Sequence, residues 1–382
     1  MPETPPPQAA RSPRRTASRW RDLRANLLLS ILSTGVLLIC LETGLRLTDL
    51  APTETLAYPD EETWARVPGP FAPDQDFVDR FRPSLPHRIH INSLGFRGRE
   101  FQTQKAPGVF RILCLGDSYV FGDYVNDDET FPANLERKLR QALPGRPIEV
   151  VNAGVNGYTI TDEASFAREK GFSLHPDLIV VGFVLNDLAD LTRRVSSREN
   201  QRQEARTLST SPLTPAKALL RRTATYNFLF VIKATILGRL RLDPTIQDLP
   251  IRHLLYPPYD ERTEDLFARY RIELLNLDGM ARAHGCRVML VLFPFYEQVV
   301  GDASAEAQAR LTRMASEAGI PSVDLLPAFR RSGSRAAKLF LMPLDHHPSA
   351  AGQRVAAREV STALATRIDE ALAAGMPATS KR

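Results

Sequence analysis

Polar residues suited to acyl chemistry lie at the ends of apolar runs in this sequence. Ser118 follows the run Leu113-Cys-Leu-Gly-Asp, which would present its hydroxyl at the tip of a strand. A serine hydroxyl attacks an ester only with help from a base, a group that orients the base and donors for the developing oxyanion. Asn152-Ala-Gly-Val-Asn-Gly157, Val180 to Asn186 and Asp345-His-His347 contain those residue types. Together the four clusters predict a serine nucleophile with its supporting groups.

In this order and chemistry, the clusters resemble the SGNH superfamily, the GDSL esterases and lipases, in which Ser, Gly, Asn and His each lead one motif. The resemblance covers about residues 108–370, and the joint occurrence is far more specific than a lone Gly-Asp-Ser. It implies that Ser118 is the nucleophile and His347 the general base. The family's terminal motif usually has its carboxylate three residues before the histidine, where this chain has Leu344. Asp345, at the shorter spacing of some branches, is therefore assigned to orient the imidazole.

The resemblance also implies an oxyanion hole with three hydrogen-bond donors. These are the Ser118 backbone N–H, the Gly157 backbone N–H and the Asn186 side-chain amide. The second motif contains two glycines, and Gly157 matches the family position better than Gly154. In the third motif Val184 occupies a position that is often glycine, and the assignment of Asn186 is unchanged.

Each of these residues also has a purely structural interpretation. Asp117 and Ser118 are good N-cap residues for a following helix, and Asn186 could form an Asx-turn at a strand end. Asp345 to His347 could be a solvated loop or two metal ligands, although no cysteine or His-x3-His pattern adjoins them. Taken together, these interpretations require four coincidences in the right order.

An acidic run follows the serine motif and consists of Asp123, Asp127, Asp128 and Glu129. It lacks the residue spacing and the glycine of a calcium-binding loop. The sequence therefore predicts a solvated turn that leads into a helix, and no metal site.

The region that contains the motifs alternates strand and helix patterns, as a parallel sheet covered on both faces requires. The predicted strands are 110–115, 148–152, 177–184, 287–293 and 321–325, and the predicted helices are 130–142, 161–171, 262–284, 304–318 and 349–373. This order predicts an α/β fold: a flavodoxin-like, three-layer α/β/α sandwich with a five-stranded parallel sheet and chemistry at the carboxyl ends of its strands. Because no Gly-x-Ser-x-Gly occurs, the nucleophile elbow of the α/β-hydrolases is excluded.

Charge and composition indicate a folded enzyme and argue against a nucleic-acid-binding protein. The chain has 382 residues, of which 43% are hydrophobic and 24% charged, ordinary values for a globular protein. In residues 1–25, six arginines against two acidic residues account for +4 of the net charge of +5. The basic balance belongs to the N-terminal segment, so we expect no nucleic-acid partner.

The N-terminal segment predicts a single membrane anchor. Residues 1–24 are rich in Pro and Arg and are predicted to form a disordered cytoplasmic tail. An uncharged stretch follows between Arg24 and Glu42, near the roughly 17-residue lower limit for a span, and the anchor is assigned to 25–46. Arginines before it predict an N-terminus inside and a catalytic domain outside the cytoplasmic membrane. A cleaved signal peptide is the competing interpretation, but no convincing Ala-x-Ala site follows.

The remaining chain divides into a Pro-rich juxtamembrane region, 47–107, and an SGNH-like domain, 108–374, that carries an insertion at 188–260. Ile91 to Gly98 resembles a segment found before the catalytic domain of membrane-anchored bacterial members, and it is interpreted as a strand and turn packed on the domain. The apolar part of the insertion, Tyr226 to Leu237, is too short to span a bilayer. It could be a packed helix, a lid or a surface that contacts lipid.

These features predict an extracytoplasmic serine esterase that removes O-acyl groups, acetyl above all, from a carbohydrate or a lipid through an acyl-serine. The chemistry requires no cofactor. Two alternatives stay open: an O-acetyltransferase of envelope polysaccharide, and a non-catalytic carbohydrate-binding or assembly protein with the same fold.

Overall fold

A parallel five-stranded sheet forms the centre of the computed structural model of the protein. The structure describes residues 14–48, 56, 58–79, 87–192, 223–226, 228, 229, 232, 251–342 and 345–373. Its strands are β1 (Gln75–Asp79), β2 (His87–Ile91), β3 (Phe110–Gly116), β4 (Ile148–Asn152), β5 (Leu178–Phe183), β6 (Arg287–Leu292) and β7 (Ser322–Asp324). β1 and β2 form an antiparallel pair. The central sheet has the order β4-β3-β5-β6-β7, with every neighbouring pair parallel.

Strands β3 and β5 lie in the interior of the sheet, and nearly all their residues are buried. Apolar runs of this kind form where helices cover both faces of a parallel sheet. The strand order, in which the first strand of the sheet lies second from its edge, is that of flavodoxin-like folds. The predicted fold class is therefore confirmed.

Helices cover the sheet in two layers. The α-helices in the described residues are α1 (Arg14–Thr48), α2 (Glu61–Arg66), α3 (Ser118–Phe121), α4 (Phe131–Ala142), α5 (Ile160–Glu169), α6 (Leu185–Asp190), α7 (Ile251–Leu255), α8 (Glu261–Ala283), α9 (Tyr296–Val300), α10 (Glu306–Glu317), α11 (Leu326–Arg330) and α12 (Ala350–Ala373). Helix α4 packs against α12, and α5 packs against α8. The local sequence sets where helices begin, as at Asp260, whose carboxylate accepts the Thr263 backbone N–H at 2.8 Å.

The five predicted strands and five predicted long helices are confirmed, with each end within two residues of its predicted position. The short helices α3, α6, α9 and α11 were not predicted. Each has only four to six residues, too few for a helical hydrophobic period to appear. Two of them, α3 and α6, carry residues of the candidate site.

At the N-terminus, α1 contains a stretch, Leu23–Thr48, that is long and apolar enough to cross a membrane. Residues 1–13 of the predicted disordered tail lie outside the described residues, and the rest of the tail is helical from Arg14 onward. Alanine and arginine favour helix, and the adjoining apolar helix provides the nucleus that a short segment lacks. Near the other end of α1, the Glu42 carboxylate accepts the backbone N–H groups of Ala224 and Thr225 at 3.1 and 2.9 Å. The remainder of the predicted apolar segment 226–237 is mostly outside the described residues.

The juxtamembrane region contributes to the same hydrophobic core as the sheet, through Phe71, Ile91 and Phe96. The Arg97 side chain, next to Phe96, is fully enclosed. Its guanidinium donates to the carbonyls of Phe121, Gly122 and Val125 at 3.1, 2.8 and 2.6 Å, and to the Asp127 carboxylate at 2.8 Å. Arg97 thereby fixes the loop that follows α3.

Candidate active site

Ser118 lies at the point where β3 turns sharply into α3. Gly116 at the end of β3 has φ +156°, and a Cβ there would lie 2.3 Å from the Val120 side chain, so the turn requires glycine. Asp117 caps α3, because its carboxylate accepts the Tyr119 backbone N–H at 2.8 Å. The capping interpretation therefore holds for Asp117 and leaves the Ser118 hydroxyl free to face the imidazole of His347.

His347 joins Ser118 to Asp345. Its Nε2 lies 2.7 Å from the Ser118 Oγ, and its Nδ1 hydrogen-bonds the Asp345 carboxylate. That carboxylate also accepts the His347 backbone N–H at 2.9 Å. With the proton on Nδ1 directed at Asp345, Nε2 can accept the serine proton. The structure thus brings the three predicted residues into a nucleophile, base and orienting carboxylate arrangement; Leu344 lies outside the described residues.

Tyr119 connects helix α3, which begins at Ser118, to the loop that contains His347. The Tyr119 hydroxyl donates to the His346 carbonyl at 2.9 Å, and the ring centroid lies 5.2 Å from that of His347. The carbonyl of Tyr119 in turn accepts the Gln353 side-chain amide from α12 at 3.0 Å. Because one buried residue contacts both segments, the serine and the histidine keep a fixed separation.

Asn186 lies in the first turn of α6, directly after β5. Its amide Nδ2 donates to the Asp117 carboxylate at 2.9 Å, which places the amide beside the serine turn. Val184, which stands at the position that is often glycine in the family, has an extended backbone (φ −130°) that valine adopts readily. Its N–H donates to the Asp187 carboxylate at 2.9 Å. The loop geometry at Asn186 therefore needs no glycine.

Gly157 lies in the loop after β4, with φ +74° in the region that favours glycine. The neighbouring Asn156 donates its side-chain amide to both carboxylate oxygens of Asp123, at 3.0 and 2.8 Å. This contact brings the Gly157 loop to the serine turn. Gly154 has a different role, because a Cβ there would lie 2.3 Å from the Phe121 backbone nitrogen. It permits the close approach of this loop to α3.

Asp123 is a carboxylate of the site that the sequence did not predict. The predicted solvated turn is correct for Asp128, which is exposed, but wrong for Asp123, whose side chain is only 17% exposed. Its carboxylate lies 3.9 Å from the His347 Nε2, and its backbone N–H donates to the Ser118 carbonyl at 3.1 Å. The only local signal is Gly122, which ends α3 with φ +90° and turns the chain back toward the serine.

Several charges act on His347. Burial disfavours its charged form, but the hydrogen bond to Asp345 and the negative charges of Asp123, Asp345 and Asp117 outweigh this effect. They raise the pKa of His347 above its ordinary value. The charges around His347 therefore favour its protonated form.

Two further carboxyl groups, Glu163 on α5 and Asp187 on α6, are buried near Asp117. Burial raises the pKa of each well above its ordinary value, and the charge of Asp117 adds to the effect. Burial also raises the pKa of Asp117, but hydrogen bonds from Asn186 and Tyr119 oppose that rise. Of the three groups, Asp117 has the most hydrogen bonds that favour the ionised form, since Asp187 has one such bond, from the Val184 N–H.

A cavity of about 570 Å³ lies outside this site, and residues of 92–101, 127–141 and 149–152 line it. Some of its charged groups pair with each other, as Arg99 does with Glu136 at 2.7 Å. Neither Ser118 nor His347 lines it. In the part of the chain that the structure describes, no group of three or more His, Cys, Asp and Glu side chains could hold a metal ion.

Comparison with known proteins gives a family match over the region that contains the site. The model of the GDSL-like Lipase/Acylhydrolase family matches residues 114–355. No sequence among the curated proteins compared matches the chain. Similar solved structures include an acetylxylan esterase from Geobacillus stearothermophilus, with 16% identity over 72% of this chain and 97% of that chain and a TM-score of 0.39. A lipase/acylhydrolase from Enterococcus faecalis has 15% identity over 68% and 96% of the two chains and a TM-score of 0.40.

Proposed function

The chain belongs to the GDSL-like lipase/acylhydrolase family, and we propose that it is a membrane-anchored serine esterase that removes O-acyl groups, acetyl above all, from a carbohydrate or a lipid. The observation that carries the proposal is the Ser118–His347–Asp345 arrangement, with the His347 Nε2 at 2.7 Å from the serine oxygen. This is the geometry in which a histidine can take the serine proton.

In the first half of the reaction, the Ser118 Oγ attacks the ester carbonyl while the His347 Nε2 takes its proton. The Ser118 and Gly157 backbone N–H groups and the Asn186 amide receive the negative charge on the carbonyl oxygen. The Ser118 N–H suits this role because the first N–H groups of a helix have no acceptor within the helix. His347 then gives its proton to the departing alcohol oxygen, and an acyl-serine remains.

In the second half, His347 takes a proton from water, whose oxygen attacks the acyl-serine carbonyl. His347 then returns the proton to the Ser118 Oγ as its bond to the acyl group breaks, which releases the acid. Asp345 holds the imidazole in one orientation through both halves and stabilises its positive charge.

The side-chain amide of Asn186 must also be held in one orientation. An asparagine amide has two hydrogens, and the one bound to Asp117 at 2.9 Å fixes the plane of the amide, which leaves the second to meet the oxyanion.

The N-terminal helix supports a location at the membrane. Leu23–Thr48 is long and apolar enough to cross a bilayer, and the arginines that precede it favour an N-terminus inside. The esterase domain would then lie outside the cytoplasmic membrane. A protease added to spheroplasts should degrade the domain and leave the N-terminus protected, and protection of the domain would contradict this orientation.

Labelling with a fluorophosphonate probe tests the proposed nucleophile. The full-length chain in detergent, its Ser118→Ala and His347→Ala variants and the control Ser165→Ala would be compared by intact mass. We expect one label on the native chain and on the control, and none on the other two. An unlabelled native chain that is demonstrably folded would contradict the proposal and favour a binding or assembly role. With an acetylated substrate and an oligosaccharide acceptor, an excess of transfer over hydrolysis would instead indicate the O-acetyltransferase.

A further inference from the structure

Asp123 lies close to the Nε2 of His347, the atom that gives its proton to the departing alcohol in the proposed reaction. During acyl transfer, the Nε2 of the base gives its proton to the departing alcohol oxygen, which approaches to about 2.6–3.2 Å. The Asp123 Oδ2 lies 3.9 Å from the same nitrogen. The carbon that bears the departing oxygen, and the substituents on the next carbon, therefore come within reach of this carboxylate.

Contacts to the neighbouring loops hold Asp123 in position. Asn156 donates its amide to both carboxylate oxygens, the Asp123 backbone N–H donates to the Ser118 carbonyl, and Arg97 holds the preceding residues by binding the Gly122 carbonyl. The Asp123 side chain is 17% exposed, so a substrate hydroxyl that enters the site can reach its carboxylate.

The chemistry of this carboxylate limits which alcohols fit. A hydroxyl on the carbon next to the ester would donate to Asp123 and form a charge-assisted hydrogen bond. An alkyl alcohol would leave the carboxylate partly desolvated without any such bond, which costs free energy. An alcohol with its own carboxylate or phosphate at that place would be repelled.

We propose that Asp123 is a specificity-determining residue that binds a hydroxyl group adjacent to the scissile ester, so that the substrates are acylated polyols such as carbohydrates rather than simple alkyl or lipid esters. This inference rests on the proposed function and narrows its substrate class. Asp123 contacts the alcohol part of the ester, and other residues contact the acyl part.

The test compares two esters that differ by hydroxyl groups: glycerol 1-acetate and propyl acetate. The quantity measured is the ratio of their kcat/KM values for the full-length chain in detergent. Any effect of a substitution on the Ser118–His347 pair acts on both esters and cancels in the ratio. We expect the native ratio to favour glycerol 1-acetate by about 10-fold or more, the size that hydrogen bonds to charged groups provide. Asp123→Ala should bring the ratio to within about 3-fold of unity.

Asp123→Asn serves as a second variant that keeps the shape and one acceptor, and it should give an intermediate ratio. Asp128→Asn is the matched control, because it makes the same chemical change on an exposed carboxylate of the same loop and should keep the native ratio. A native ratio near unity, or a ratio that both Asp123 variants leave unchanged, would overturn the inference. Since the native ratio needs no variant, a misfolded variant does not prevent the test. Absence of hydrolysis of both esters by the native chain would instead contradict the proposed esterase function.

Discussion

Replacement of Asn186 by alanine should impair both catalysis and stability, because its amide has two partners. The proposed partner in the reaction is the oxyanion, and the loss of one oxyanion donor lowers kcat by about 10²- to 10³-fold. The partner in the resting protein is the buried Asp117, whose carboxylate accepts the amide at 2.9 Å. Leaving a buried acceptor without its donor costs about 1–3 kcal/mol. For a domain of this size, that corresponds to a fall in Tm of about 2–12 °C.

The two effects of Asn186→Ala can be separated in one assay series. The initial rate with a neutral acetate ester reports on the oxyanion, and a thermal melt of the full-length chain in detergent reports on Asp117. The variant Asp117→Asn offers one acceptor oxygen to the two donors that the carboxylate accepts, the Tyr119 N–H and the Asn186 amide, so its Tm should also fall. A fall in Tm with kcat within about threefold of the native value would refute the oxyanion role and leave Asn186 as a structural residue.

Three further predictions concern groups around the site. Because the pKa of His347 is raised and the base must be neutral, the acid limb of the pH profile of kcat/KM should lie above pH 6.5. Asp123→Asn removes a negative charge near His347 and should move this limb to lower pH. A limb that does not move would contradict the effect of Asp123 on the pKa of His347. Burial raises the pKa of Glu163 above 4.5, so the folded state keeps a proton that the unfolded state releases. Stability should therefore fall as the pH rises above 4.5. Glu163→Gln should show a smaller fall in Tm between pH 5 and 8 than the native chain, and an equal fall would contradict this effect. Arg97→Met should lower the free energy of unfolding by about 3–5 kcal/mol, because it removes the buried cation that pairs with Asp127 and its hydrogen bonds to three carbonyls. Chemical denaturation measures this loss, and a smaller one would show that the remaining donors, such as the Asn152 amide at Phe121, replace these bonds.

The sheet and most of the site could be predicted because their signals are local. Strands β3 and β5 are buried on both faces and therefore appear as short apolar runs with a polar cluster directly after each. Those clusters contain Ser118 and Asn186, and the parallel arrangement brings them to the same edge of the sheet. The histidine was predicted from its motif, and the contact with Ser118 spans 229 residues.

The role of Asp123 could not be predicted because it depends on contacts between distant segments. An aspartate in an acidic turn has the same local pattern whether it faces water or an imidazole. Its position is decided by Asn156, 33 residues later, and by Arg97, which binds the carbonyls of residues 121, 122 and 125 from the juxtamembrane region. For the same reason, the sequence did not show that the juxtamembrane region holds the loop after α3 in position through Arg97.

The most direct test of the central claim is to trap the acyl-enzyme itself. The full-length chain in detergent would be mixed with p-nitrophenyl acetate, quenched in acid within the first turnover and digested for peptide mass analysis. We expect one acetyl group on the peptide that contains Ser118, together with a burst of p-nitrophenol, and neither in the Ser118→Ala variant. Steady hydrolysis of the ester by Ser118→Ala at the native rate, without acetylation of that peptide in the native chain, would contradict the account.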